Sequence, residues 1–235
     1  MNDLTAVEQN LANWKDSLLT CIPVGGLLSR NAVAYKWKGP YRIWMLRETL
    51  LWRSHDLMTQ SYVLYQKECL LGARILLRAG FESLATLIYL NQGMQQVLNG
   101  KLNFHAFCEK TSTLLLGAGN NDEMPRSLSI VTVLEKCDKR YPGLIALYAN
   151  LSESAHPSYE GLCSGYSKID HDEYETHFSN RWMDLYGDNH LGSMELCMTT
   201  FHCEYDEVWP ELMNRLEIWV EANDNELEAT KNGLA

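Results

Sequence analysis

The stretch from Glu68 to Leu90, ECLLGARILLRAGFESLATLIYL, constrains the fold more than any other part of the chain. Between Leu70 and Leu90 its only charged residues are Arg74, Arg78 and Glu82, spaced four apart. A step of four residues turns a helix by only about 40°, so the three charges form one narrow stripe, continued by Thr86. Most of the remaining circumference is Leu, Ile, Ala, Phe and Tyr. A helix apolar over most of its surface is the central helix of its domain. Its charges then lie on a single solvent-facing line or point into a polar pocket, and that alternative governs what function can be read.

The flanking sequence is helical too. Val7, Leu11, Trp14 and Leu18 have helical spacing behind Thr5, a suitable N-cap. Pro23 and the Gly25–Gly26 pair predict a turn. Pro40 fits the first turn of a second helix, which continues through Ile43, Leu46, Leu50, Leu57 and Tyr62 to a joint between Asp56 and Lys67. Gly93 and Asn99–Gly100 mark the exit of the central helix, and 102–116 reads as the next, ended by the Gly/Asn cluster at 117–122. A helix over 127–140, capped by Ser127 or Ser129, precedes one after Pro142 that shares Leu144, Ile145, Leu147, Tyr148 and Leu151 on one face. That helix must stop at Ala155–His156–Pro157, because the residue before Pro is pushed out of the α region. Residues 158–180 read as an irregular loop, and 191–221 as the last long helix, with a bend at Pro210. The tail 223–235 reads as frayed. Residues 1–235 thus make one all-α domain, a bundle of about seven helices around 68–90.

Charge bounds the partners. The net charge of −10 argues against a general nucleic-acid coat, but it is unevenly spread. Arg30 to Arg78 holds nine Lys/Arg against three Asp/Glu, and Asp170 to Ala235 holds three against sixteen. Trp44, Arg47, Trp52 and Arg53 in the basic part are either aromatic core with Arg stems laid on it or a stacking and phosphate surface for single-stranded nucleic acid. The seven cysteines are scattered without a C-x-x-C pair, the usage of a reduced compartment. No basic-then-apolar leader opens the chain, and the most apolar window carries three charges, so a cytoplasmic protein without membrane contact is expected.

Two constellations carry candidate chemistry. Arg78 and Glu82, one turn apart, are either a structural ion pair or an Arg that binds phosphate beside a Glu that orients a base. In LSESAHPSYEG (151–161), His156 stands at a helix end with Ser152 and Glu153 just before it. It is either a poised acid/base or a cap on the last carbonyls of its own helix. Glu153-x-x-His156 is one half of a helical di-iron ligand set, and the second half is missing, so neither metal nor cofactor is expected. His171 and His177, among Asp170, Asp172, Glu173 and Glu175, read as a solvated acidic loop.

The combination of L-x-R-x-x-x-E (Leu76, Arg78, Glu82) with a later L-S-x-x-x-H-P-S (Leu151, Ser152, His156, Pro157, Ser158) is similar to a broad family of uncharacterised bacterial helical proteins. That family in turn resembles the higher-eukaryote and prokaryote nucleotide-binding (HEPN) domains, many of them toxin or defence ribonucleases. The resemblance implies an RNA- or nucleotide-acting protein of that type. Arg74 and Arg78 would meet phosphate, Glu82 would orient, His156 would be the acid/base, and Ser152 and Tyr159 would join Arg74 as ligand-binding residues. The chain departs from the ribonuclease pattern of Arg, four to six residues, then His; Arg181 to His190, for one, leaves eight residues between. The alternative is a non-enzymatic helical module that binds a protein or small ligand in the same pocket. Seven Trp and long apolar helices also point to a homodimer.

Overall fold

The first helix, α1 (Ala6–Ser17), begins where its cap dictates. The Thr5 hydroxyl accepts from the Glu8 N–H at 3.2 Å while the Glu8 carboxylate accepts from the Thr5 N–H at 2.8 Å, a reciprocal exchange that satisfies two otherwise orphaned donors. The computed structural model describes residues 5–116 and 129–231. Among these the chain is all-α: ten helices and one two-stranded hairpin. After α1 come α2 (Val24–Arg30), α3 (Lys38–Gln66), α4 (Leu70–Leu98), α5 (Phe104–Leu116), α6 (Ile130–Asp138), α7 (Leu144–Ala155), α8 (Trp182–His202), α9 (Trp209–Ala222) and α10 (Asp224–Thr230). Among the described residues no helix is long and apolar enough to cross a membrane.

The chain divides into two compact units. The first draws on residues 5–17, 52–84 and 134–200, and the second on 18–51, 85–116, 129–133 and 201–231. Helix α4 serves both cores. Leu70, Ala73, Leu77, Phe81 and Leu84 are buried in the first unit, and Ala85, Leu87, Ile88, Leu90, Met94 and Val97 in the second. It runs 70–98 rather than 68–90: Glu68 adopts a positive φ of 58° in the joint after α3, and Gly93 continues the helix instead of ending it. A Cβ at Gly93 would come 2.5 Å from the Phe107 ring, so glycine there lets α5 approach. The true exit is Gly100, with φ +67°.

In the first unit, α3 and α4 run antiparallel. Gly72 faces Leu64, and a Cβ at Gly80 would sit 2.2 Å from Met58 Cε. Helix α7 ends at Ala155, with His156 extended (φ −102°, ψ 148°) before Pro157, as the X–Pro step requires. Residues 158–180 are more ordered than a loop. A wide helical turn (Tyr159–Ser164) leads into β1 (Ser167–Asp170), paired antiparallel with β2 (Glu175–Phe178) in the register Ser167↔Phe178 and Asp170↔Glu175. Asp170 turns the hairpin by accepting from the Asp172 and Glu173 N–H groups. Helix α8 starts at Trp182, well before residue 191, and buries Trp182 completely.

In the second unit, three expectations are corrected. Gly25 and Gly26 lie inside α2, which Pro23 opens with its preset φ of −71°. The tail is not frayed over its described part. Asp224 at the start of α10 meets Lys36 Nζ at 2.6 Å and accepts from the Trp37 indole at 2.9 Å, and Leu227 is buried. Between α8 and α9, residues Cys203–Val208 form a wide turn in which the Trp209 N–H reaches back to Glu204 O. Pro210 has no N–H and its ring clashes with the carbonyl four residues earlier, so the ladder slips by one residue just before it. Ser129 stands at the start of α6 as expected. The Ser127 cap and the turn at 117–122 fall outside the described residues.

Arg47 lies on aromatic rings, its guanidinium 3.5 Å from the Tyr205 centroid and 4.4 Å from that of Trp209. It is held by Glu48 at 2.6 Å. For this arginine the core reading is the right one.

Candidate functional site

The stripe Arg74, Arg78, Glu82 faces α7 within the first unit, and its two ends differ. Arg78 Nε donates to Ser152 Oγ at 2.9 Å, and Nη2 donates to the Tyr148 hydroxyl at 2.5 Å. The Tyr148 hydroxyl donates to Glu82 Oε1 at 2.9 Å, and Arg78 meets the same oxygen at 3.3 Å. Burial and the hydrogen bond to Glu82 raise the Tyr148 pKa, so the phenol stays a donor. Cation, phenol and carboxylate thus neutralise one another. This end fastens α4 to α7, the structural-pair reading of Arg78 and Glu82.

Arg74 is different. It is 4% exposed, its Nε donates to Ser154 Oγ at 2.7 Å, and Nη2 donates to Asn150 O and Oδ1, both at 3.0 Å. The guanidinium stacks 4.0 Å from the Tyr186 ring centre. Every bonded partner is neutral, and among the described residues no carboxylate bonds it. Glu160, which acts on Arg74 through space, accepts from the Tyr186 hydroxyl, whose pKa burial pushes up to about 12. Burial lowers the Arg74 pKa, but from so high a value that the group stays a cation. Among the described residues its Nη1 edge carries no hydrogen bond.

Arg74 lines a cleft of about 590 Å³ between α4, α7 and α8. Leu77, Leu147, Leu151, Leu185 and Leu196 supply its apolar surface, and Asn189, Asp188 and His190 its further polar groups. Sequence reasoning missed His190. It is 1% exposed and stacked on Tyr65 at 5.4 Å. Ser61 donates its one proton to Ala73 O at 2.8 Å, so at 3.2 Å its oxygen accepts from His190 Nε2. The proton is therefore on Nε2. Nδ1 is left as a buried acceptor without a partner. Burial, then the Arg74 charge, lowers the His190 pKa to about 4, so the ring is neutral at pH 7. The only sequence signal for His190 was its distance from Arg181, and that pointed nowhere.

The structure does not bring His156 to this cluster. It is exposed, its ring forms no hydrogen bond or ion pair among the described residues, and it does not line the cleft. Its carbonyl packs against Gly161, where a Cβ would sit 2.1 Å away. Tyr159 is 74% exposed and also stands apart. Of the six candidate residues, Arg78, Glu82 and Ser152 form one closed network, Arg74 faces the cleft, and His156 and Tyr159 join neither. Among the described residues no group of three or more His, Cys, Asp and Glu is placed to hold a metal ion. Compared with protein-family models, curated proteins and solved structures, the chain matches none.

Proposed function

We propose that the first unit is a non-enzymatic ligand-binding module whose α4–α7–α8 cleft takes an anionic group on Arg74. One observation carries this: an arginine buried to 4% exposure that lines a cleft, with only neutral hydrogen-bond partners and an unengaged edge. Glu160 acts on Arg74 only through space, so this buried cation keeps part of its desolvation cost, which an incoming anion offsets. The cleft volume is in the range of small-molecule sites, mostly apolar with a few convergent polar groups. The same arginine served the nucleotide reading, but the acid/base that reading needs, His156, forms no bond with Arg74, Arg78 or Glu82.

The test is titration of the ¹⁵N-labelled chain with acetate and, separately, inorganic phosphate, following the Arg74 Nε–H and His190 ring signals. Saturable shifts of both are expected, with the His190 shift lost in Arg74→Gln; no saturable shift with either anion overturns the reading. A mixed RNA pool separates it from the ribonuclease alternative. Cleavage by the native chain that disappears in His156→Ala and Arg78→Ala would replace the binding module by an enzyme.

A further inference from the structure

A second cleft of about 360 Å³ adjoins the first. Leu147 of α7 and Leu196 of α8 line both, so the two meet at these leucines as a paired trough along α4. Its Arg74 end is polar. Beyond the shared leucines it is floored by Phe81 and Leu84 and walled by Leu144 and Pro142. Leu196 remains 50% exposed at the junction. From Arg74 to Leu84 is ten residues of helix, about 15 Å at 1.5 Å per residue. The trough thus has a cationic head position and an apolar run of that length leading away from it.

The charges select further. The charged side chains lining the head position are Arg74 and Asp188, and His190 there is neutral. Asp188 beside Arg74 disfavours added negative charge, so a singly charged head group is repelled less there than a phosphate dianion. Arg140 lines the far cleft, its guanidinium 5.6 Å from the Tyr141 ring centre, so the apolar run lies between the two arginines and not over either.

Resting on the anion-binding reading, we infer that the ligand is an amphipathic monocarboxylate of medium-chain length. Its carboxylate sits on the Arg74 Nη1 edge, and its apolar body lies across Leu147 and Leu196 onto Phe81 and Leu84. Each methylene removed from water favours binding by about 0.8 kcal/mol, so every two buried methylenes tighten it by roughly tenfold.

Calorimetric titration of the full chain with acetate, octanoate, decanoate and decylamine, all below micelle-forming concentrations, tests this. Affinity should rise in steps of about tenfold per two methylenes up to the length the trough accepts, and decylamine, with the wrong head charge, should not bind. Leu196→Asp changes a half-exposed residue, and retained helicity by circular dichroism shows that it folds. It should weaken decanoate by at least about tenfold, and by more than it weakens acetate, because the added charge repels both anions while the lost apolar cover is felt by the longer one alone. Acetate binding at Arg74 with decanoate no tighter would overturn the inference and leave the anion site standing. Decanoate binding unchanged in Leu196→Asp, or matched by decylamine, would show non-specific adsorption and also overturn it. Binding of no anion at all would overturn the anion site as well.

Discussion

Arg47 in the second unit and Arg74 in the first are both removed from water, and both are laid on aromatic rings. Arg47 carries its own counter-charge: Glu48 bonds it at 2.6 Å, and the Tyr205 hydroxyl donates to the same carboxylate at 2.8 Å. Its Nη2 goes to Tyr205 O at 3.1 Å, leaving only the Nε, against the rings, without a partner. Arg74 has three hydrogen bonds to neutral oxygens, no bonded carboxylate among the described residues, and a cleft that it lines. Burial alone therefore does not mark a functional arginine. What distinguishes the two is whether the fold supplies the anion or leaves it to be supplied.

If the Arg47 cluster is a closed structural unit, removing its anion should cost most. Glu48→Ala leaves a buried cation uncompensated and should destabilise the chain by about 3–5 kcal/mol, read from the urea midpoint. A loss below about 1 kcal/mol would mean that water reaches Arg47, and the contrast with Arg74 would collapse. Next in size is the pH dependence carried by His190. Its folded pKa of about 4 lies below the ordinary 6.5, so the unfolded chain takes up a proton first as pH falls. The stabilisation is whole above pH 6.5, is lost progressively below it, and is gone once pH passes the folded value. Between pH 7 and 4.5 this amounts to about 2.5 kcal/mol, measured as the difference in stability loss between the native chain and His190→Phe. Equal losses in the two would mean that the ring is not held neutral beside Arg74.

Much of this was legible in the sequence, and the missing parts share a cause. The i, i+4, i+8 stripe on an apolar helix is a local pattern, and both the all-α fold and the Arg78–Glu82 pair follow from it. The stop at His156–Pro157 is equally local, and so is the Thr5 cap. His190 was not legible. It sits in DLYGDNHLGS (184–193), where Gly187, Gly192 and five polar residues hide the apolar face of α8. What buries it is Ser61 and Tyr65, more than 120 residues away in sequence. The end of the chain looked unstructured for the same reason, since Lys36 and Trp37, not neighbouring residues, hold α10. His156 looked poised because a helix end isolates a ring, but isolation also leaves it in solvent with nothing to act with.

The two smallest effects sharpen the contrast within α4 itself. Arg74→Gln removes hydrogen bonds to Ser154 and Asn150 but also a buried charge that no carboxylate bonds among the described residues. The two changes oppose each other and should leave a net loss of about 1–2 kcal/mol, well short of the Glu48→Ala cost, while acetate binding is abolished. A loss as large as that of Glu48→Ala would make Arg74 structural after all. Glu82→Gln should do least. The pair is about a quarter exposed on both sides, so screening by water limits its worth to under about 1 kcal/mol, and Gln keeps an acceptor for the Tyr148 hydroxyl. Decanoate and acetate affinities should be unchanged, because neither Glu82 nor Arg78 lines the trough. If Glu82→Gln instead altered acetate binding as much as Arg74→Gln, the stripe would act as one charged unit, and the division between a fastening end and a binding end would be wrong.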